Sequence, residues 1–232
     1  MPEHTSKQFD AELEAVRTRV LQMGGLVEEQ IRRAIEALST GNMEEIERVK
    51  DNDHRVNAME VELDEACSHI IARRQPAASD LRLIIAVIKT ITDLERIGDE
   101  AEKIARMAKL IHEADRMHMP RIEVGHVSAL AVAMLRKALD SFARLDVQAA
   151  NEVVRQDDVV DNEFRSILRQ LITFMMEDPR TISRCLEILF VAKALERIGD
   201  HSKNMAEYVV YMVEGRDVRH LRTGDVARAA NE

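Results

Sequence analysis

The chain has 232 residues with only 8 Gly, 4 Pro, 3% aromatics and no Trp, a composition poor in turn and strand formers that excludes an all-β or doubly wound α/β fold. Charged residues reach 32% and hydrophobic ones 46%, the profile of amphipathic helices packed on one another. The net charge of −9 argues against direct nucleic-acid binding, which needs a Lys/Arg surplus to displace counterions from phosphates.

Six helices are predicted, and the prolines and their neighbours punctuate them. The first, over 7–38, follows an N-terminus in which Glu3, His4, Lys7 and Asp10 stand where a signal peptide would be apolar. Thr40-Gly41-Asn42 turns the chain into a second helix over 43–73, and Arg74-Gln75-Pro76 turns it again into a third over 79–115. A linker near Met119 to Gly125, containing Pro120, leads to a fourth over 123–143 and a fifth over 146–176. After Glu177-Asp178-Pro179 a sixth runs over 180–213, and the tail 215–232 loses the period and is expected to be mobile. At ~1.5 Å per residue, helices of about 30 residues span on the order of 45–50 Å, so an elongated bundle is expected. No run of about 18 apolar residues occurs, so a cytoplasmic protein, at most peripheral to a membrane, is expected. Cys67 and Cys185 lie inside helical patterns without a CxxC mate and read as buried, reduced thiols.

The strongest signal is an internal repeat. Leu94-Glu95-Arg96-Ile97-Gly98-Asp99 recurs as Leu195-Glu196-Arg197-Ile198-Gly199-Asp200 at an offset of 101, and Asp53-x-x-Val56-Asn57 matches Asp157-x-x-Val160-Asp161 at an offset of 104. Order and spacing are kept. The expected architecture is therefore all-α: two tandem three-helix bundles over 7–117 and 121–214, related by a pseudo-twofold axis.

Glu95 and Asp99 follow Ile88 by seven and eleven residues, which puts both within about 20° of its azimuth, on the apolar stripe. Glu196 and Asp200 stand the same way to Leu189, and Asp157 and Asp161 share an azimuth with Val153, Phe164 and Leu168. Carboxylates aimed at a helix interface are costly unless paired, hydrogen-bonded or metal-bound. If the fifth and sixth helices are antiparallel neighbours, four converge, a hard oxygen set suited to Fe, Mn, Mg, Ca or Zn. In the first copy the partners are Asp53 and Asn57, so an amide replaces one carboxylate and weaker binding is expected there. Alternatives stand beside this: a solvated acidic face, or neutralisation by Arg96 and Arg197 as structural salt bridges. Gly98 and Gly199 each cost a helix about 1 kcal/mol relative to Ala, for close packing or for room beside the backbone. The eight histidines form no i,i+4 pair, and Glu123 to His126 is the one Glu-x-x-His that could face inward, which argues against a ferritin-like oxidase. His54, His69, His112 and His201 read as surface or satisfied polar residues, and no phosphate loop, nucleophile elbow or Cys/His dyad is visible.

These motifs, with Phe9-Asp10-Ala11-Glu12-Leu13-Glu14, Met23-Gly24-Gly25, Asp64-Glu65-Ala66-Cys67, Arg74-Gln75-Pro76 and Asp80-Leu81-Arg82-Leu83, closely resemble the PhoU family of bacterial phosphate-specific transport accessory proteins, from about residue 7 to 222. The resemblance implies metal binding through the repeated acidic pairs, with Glu95, Asp99, Glu196 and Asp200 as ligands and Asp53, Asp157 and Asp161 on the adjoining helices, holding Fe, Mn, Zn or Mg. It implies a homodimeric signalling adaptor, not an enzyme. Its expected role is negative regulation of the phosphate-starvation regulon, and its expected partners are a phosphate-sensing histidine kinase and the ATPase subunit of the phosphate ABC transporter. A carboxylate-bridged di-metal enzyme is the alternative reading, and a purely structural scaffold a third.

Overall fold

The computed structural model describes residues 7–113 and 122–215. The expected end of the third helix at 115, most of the linker and the expected mobility of the tail lie outside them. The apolar periodicity closes into α1 (Lys7–Thr40), α2 (Met43–Arg74), α3 (Ala78–Glu113), α4 (Gly125–Arg144), α5 (Val147–Glu177) and α6 (Ile182–Glu214). No strand occurs among the described residues, and the fold is all-α.

The helix ends follow from capping chemistry. Asn42, Asp146 and Asp178 each accept a hydrogen bond from a backbone N–H two or three residues on, at 3.0 Å, which satisfies donors that the first turn leaves open. The Asp178 cap starts a 3-10 turn over Pro179–Thr181, so α6 begins at Ile182, two residues later than expected; α4 likewise begins at Gly125 instead of 123. Gly41 and Gly215, both at φ 71, end α1 and α6 in the left-handed region, but Gln75 at φ 47 and Leu145 at φ 54 do the same without glycine. α1 has 34 residues and its counterpart α4 only 20.

α1, α2 and α3 pack on one another, as do α4, α5 and α6, and α3 lies against α6 in the most extensive helix pair. The buried side chains of all six helices form one continuous core. Across the α3–α6 pair, Asp93 meets His201 and Asn204, Glu100 meets Arg197, and Lys89 lies over Tyr208 and Tyr211. Those pairings run antiparallel and centre on Ile97 and Ile198, both fully buried. The two repeated hexapeptides therefore lie within this antiparallel α3–α6 pair. Cys67 and Cys185 are free and buried, and burial, with Asp64 nearby, pushes the Cys67 thiol up to about 12. Among the described residues no helix is long and apolar enough to cross a membrane.

Candidate functional site

In the first half, α2 and α3 bring Asp53 and Glu60 to the same neighbourhood as Glu95 and Asp99. Asp53 is buried, Glu95 half-buried, and Asp99 stands at the exposed rim, so the apolar stripe carries it further outward than its azimuth predicts. Among the described residues only neutral donors hydrogen-bond this group. The Gln30 Nε2 amide donates to Asp53 Oδ1 and to the Gly98 carbonyl, each at 3.1 Å, Asn57 Nδ2 donates to Asp53 Oδ2 at 3.2 Å, and the Thr92 hydroxyl donates to Glu60 Oε1 at 3.2 Å. Gly98 makes this possible: a Cβ there would stand 3.3 Å from Gln30 Oε1 and 3.5 Å from Asp53 Oδ1.

The electrostatics show the lack of compensation. Desolvation, then Asp99, Glu60 and Asp53, push the Glu95 carboxyl above its ordinary value, with Arg96 a partial offset. Desolvation and the charges of Asp53, Glu102, Glu100 and Glu60 push Asp99 up as well. Gln30 is fully buried, and its Oε1, like Asn57 Oδ1, has no hydrogen-bond partner among the described residues. Unpaired buried acceptors are rare in native proteins and call for an explanation. Oxygen donors, surplus negative charge and orphaned carbonyl oxygens together fit a hard cation. Among the described residues no three His, Cys, Asp or Glu side chains already converge to hold one, so the fit is one of chemistry and charge.

In the second half, α5 and α6 assemble Asp157, Asp161, Glu196 and Asp200, the four predicted carboxylates. Here most are already paired with cations. Lys203 Nζ donates to Asp157 Oδ2 at 2.7 Å, Lys193 Nζ lies 2.5 Å from both oxygens of Glu196, and Arg165 meets Asp161 at 3.0 Å. Against the desolvation that would lower it, Lys203 is held above its ordinary value by Asp157, Glu207 and Asp200. Asp200, at the exposed rim, is pushed up to about 6 by desolvation and by Glu196 and Asp157, with Lys193 a partial offset. A Cβ on Gly199 would meet only Val160 Cγ1 at 3.4 Å and Met134 Sδ at 3.7 Å.

The arginines inside the hexapeptides do not neutralise these clusters alike. Arg197 reaches across to Glu100 at 2.9 Å, and that buried carboxylate also holds Lys103 at 3.2 Å. His201, among the histidines read as surface or satisfied, is buried and bonded through Nδ1 to Asp93 Oδ1 at 2.7 Å. Sequence reasoning missed Gln30, Glu60, Lys193 and Lys203. None lies in the repeated motifs, but carrying the offsets 104 and 101 across whole helices sets each against a different residue in the other copy.

A model of the PhoU domain matches the chain twice, over residues 20–108 and 124–209. The phosphate-specific transport system accessory protein PhoU homolog of Pseudomonas aeruginosa is 50% identical over 218 residues, 94% of this chain and 90% of that protein. The phosphate-specific transport system accessory protein PhoU of Escherichia coli K12 is 47% identical over 219 residues, with the same shares covered. The crystal structure of the Pseudomonas aeruginosa PhoU superposes with a TM-score of 0.86, covering 90% of this chain and 100% of that one. That of the phosphate transport system regulatory protein PhoU from Streptococcus pneumoniae, 27% identical, gives 0.83 over 90% and 99%.

Proposed function

This chain belongs to the PhoU family, and from that premise we propose that it is a cytoplasmic adaptor that restrains the phosphate-starvation regulon, conveying the state of the phosphate transporter to a sensor kinase. The observation that carries this reading is full-length similarity to relatives named as accessory proteins of phosphate-specific transport. The partners are the transporter's ATPase subunit and a phosphate-sensing histidine kinase, so membrane contact is indirect.

An adaptor acts through differential affinity, because a partner bound equally in both states shifts no equilibrium. A difference of roughly 1–3 kcal/mol between phosphate-replete and phosphate-starved partner states suffices. The carboxylate cluster of the first half is the regulatory centre: a hard cation such as Fe, Mn, Zn or Mg neutralises acidic side chains that otherwise repel one another across a helix pair. In the first half Asp53, Glu60, Glu95 and Asp99 would hold it, clamping α2 to α3 beside the central α3–α6 pair.

A second copy covers the apolar stripe of α5 and α6, where Ile172, Met176, Ile182, Leu186 and Phe190 are all exposed. Two chains of net charge −9 repel in general, but the arginines beside this stripe are already paired, Arg165 with Asp161, Arg180 with Asp178 and Arg184 with Glu187. Sedimentation of Phe190→Glu as a monomer, against a dimeric parent, checks this contact. The regulatory role is tested by a starvation-gene reporter in a deletion strain at high phosphate. Constitutive expression is expected, and a reporter that stays repressed contradicts the reading.

A further inference from the structure

Aligning the copies by their offsets exposes a coordinated set of exchanges around the carboxylates. Asp53, Glu95 and Asp99 fall on Asp157, Glu196 and Asp200, but Thr92 falls on Lys193, Glu102 on Lys203, Glu60 on Phe164 and Gln30 on Met134. The first three exchanges make the second cluster more positive and the fourth removes a buried amide; only Asn57 to Asp161 runs the other way.

The exchanged residues keep their contacts while their chemistry changes. The Thr92 hydroxyl is bonded to Glu60, and at the matching place Lys193 lies over the Phe164 ring, 5.4 Å from its centroid, where the negative ring face favours an ammonium. Gln30 approaches Gly98 and leaves its Oε1 without a partner. Met134 approaches Gly199 with a thioether that needs none. Asp157 carries the ammonium of Lys203 at 2.7 Å, whereas Asp53, whose matching neighbour is Glu102, is served only by two amides.

We infer that the two repeats have divided the work: the cluster of Asp53, Glu60, Glu95 and Asp99 takes a hard cation from solution, while Lys193 and Lys203 stand permanently in place of the ion beside Asp157, Glu196 and Asp200. The inference rests on reading the carboxylates as cation ligands. A tethered ammonium is always present, and a divalent ion entering the second cluster must displace two of them against their own positive charge. With Arg165 on Asp161, three of the four carboxylates are committed, and Asp200 alone is not a site. The fully buried Gln30 reaches Asp53 Oδ1 through its Nε2 and leaves its carbonyl oxygen without a partner among the described residues, an amide that Met134 does not give the second cluster. The order is thus the reverse of that expected from Asn57 against Asp161 alone.

Titration calorimetry with MnCl2 on the chelator-stripped full chain tests this, with helicity of every variant checked by circular dichroism. Wild type is expected to bind one ion per chain. E95Q with D99N should weaken binding about tenfold or more, E196Q with D200N should leave it unchanged, and K193Q with K203Q should add a second ion. Two ions in wild type, or equal weakening by the two carboxylate pairs, overturns the division of labour and leaves the cation reading intact. No heat of Mn2+ binding by wild type overturns both. If the lysine variant fails to fold, the wild-type stoichiometry and the two carboxylate pairs still decide.

Discussion

Gly98 and Gly199 hold equivalent places in identical hexapeptides, yet a Cβ on the first would press on Gln30 Oε1 at 3.3 Å and on the second would touch Val160 Cγ1 at 3.4 Å and Met134 Sδ at 3.7 Å. The same close helix approach admits a polar wedge in one half and apolar packing in the other. The repeated motif therefore sets the helix crossing, and residues outside the motif set its chemistry. The junction teaches the same lesson. The central α3–α6 pair is antiparallel about Ile97 and Ile198, but its polar contacts are not duplicated: Asp93 pairs with His201, while the position matching Asp93 is Ala194.

The comparison breaks hardest at that junction. His201→Ala leaves Asp93, only 2% exposed, with Asn204 at 3.3 Å as its remaining hydrogen-bond partner among the described residues, and removing one side of a buried pair costs about 3–5 kcal/mol. Urea unfolding should show a loss of that order; a loss below about 1 kcal/mol, the range of exposed pairs, would mean the junction is not held this way.

Between the glycines the expected difference is smaller. Gly199→Ala should be neutral or stabilising by up to about 1 kcal/mol, the helix propensity gained. Gly98→Ala must shift Gln30 by a few tenths of an ångström, and straining its buried bonds to Asp53 and the Gly98 carbonyl should give a net cost of about 1–2 kcal/mol. Equal midpoints for the two variants would remove the distinction drawn between the halves.

The smallest effect is a pH dependence in metal-free protein. Asp200 is raised from 3.8 to about 6 in the folded chain, so between those values the fold holds a proton that the unfolded chain has released. Its contribution is fully present below pH 3.8, falls as pH rises, and is lost above about 6. Asp200→Asn should therefore match wild type in acid and exceed it at neutral pH. Because solvent reaches Asp200, the gain is screened to about 1 kcal/mol. Parallel stability profiles for the two proteins would refute it.

Much of this was legible in the residues because helices announce themselves by period and punctuation. Pro76 and Pro179 placed two turns, and the six helices emerge within two residues of the expected bounds wherever those bounds are described. Leu145 and Gln75 gave no warning of their left-handed caps, since nothing in a Leu or Gln signals that tertiary packing will hold it at positive φ. The carboxylates were visible because duplication picks out residues that recur. The same method is blind to residues that matter by differing. Lys193 and Lys203 read as ordinary surface charges until their distances to Glu196 and Asp157 are known, and Glu60 has no acidic counterpart to draw attention to it.

The division between the halves is tested most directly by anomalous scattering from a crystal of the full chain grown with Mn2+. A single Mn2+ peak among Asp53, Glu60, Glu95 and Asp99, with Lys193 and Lys203 still on Glu196 and Asp157, is the predicted result. A peak among Asp157, Glu196 and Asp200, with those lysines turned away, would contradict it.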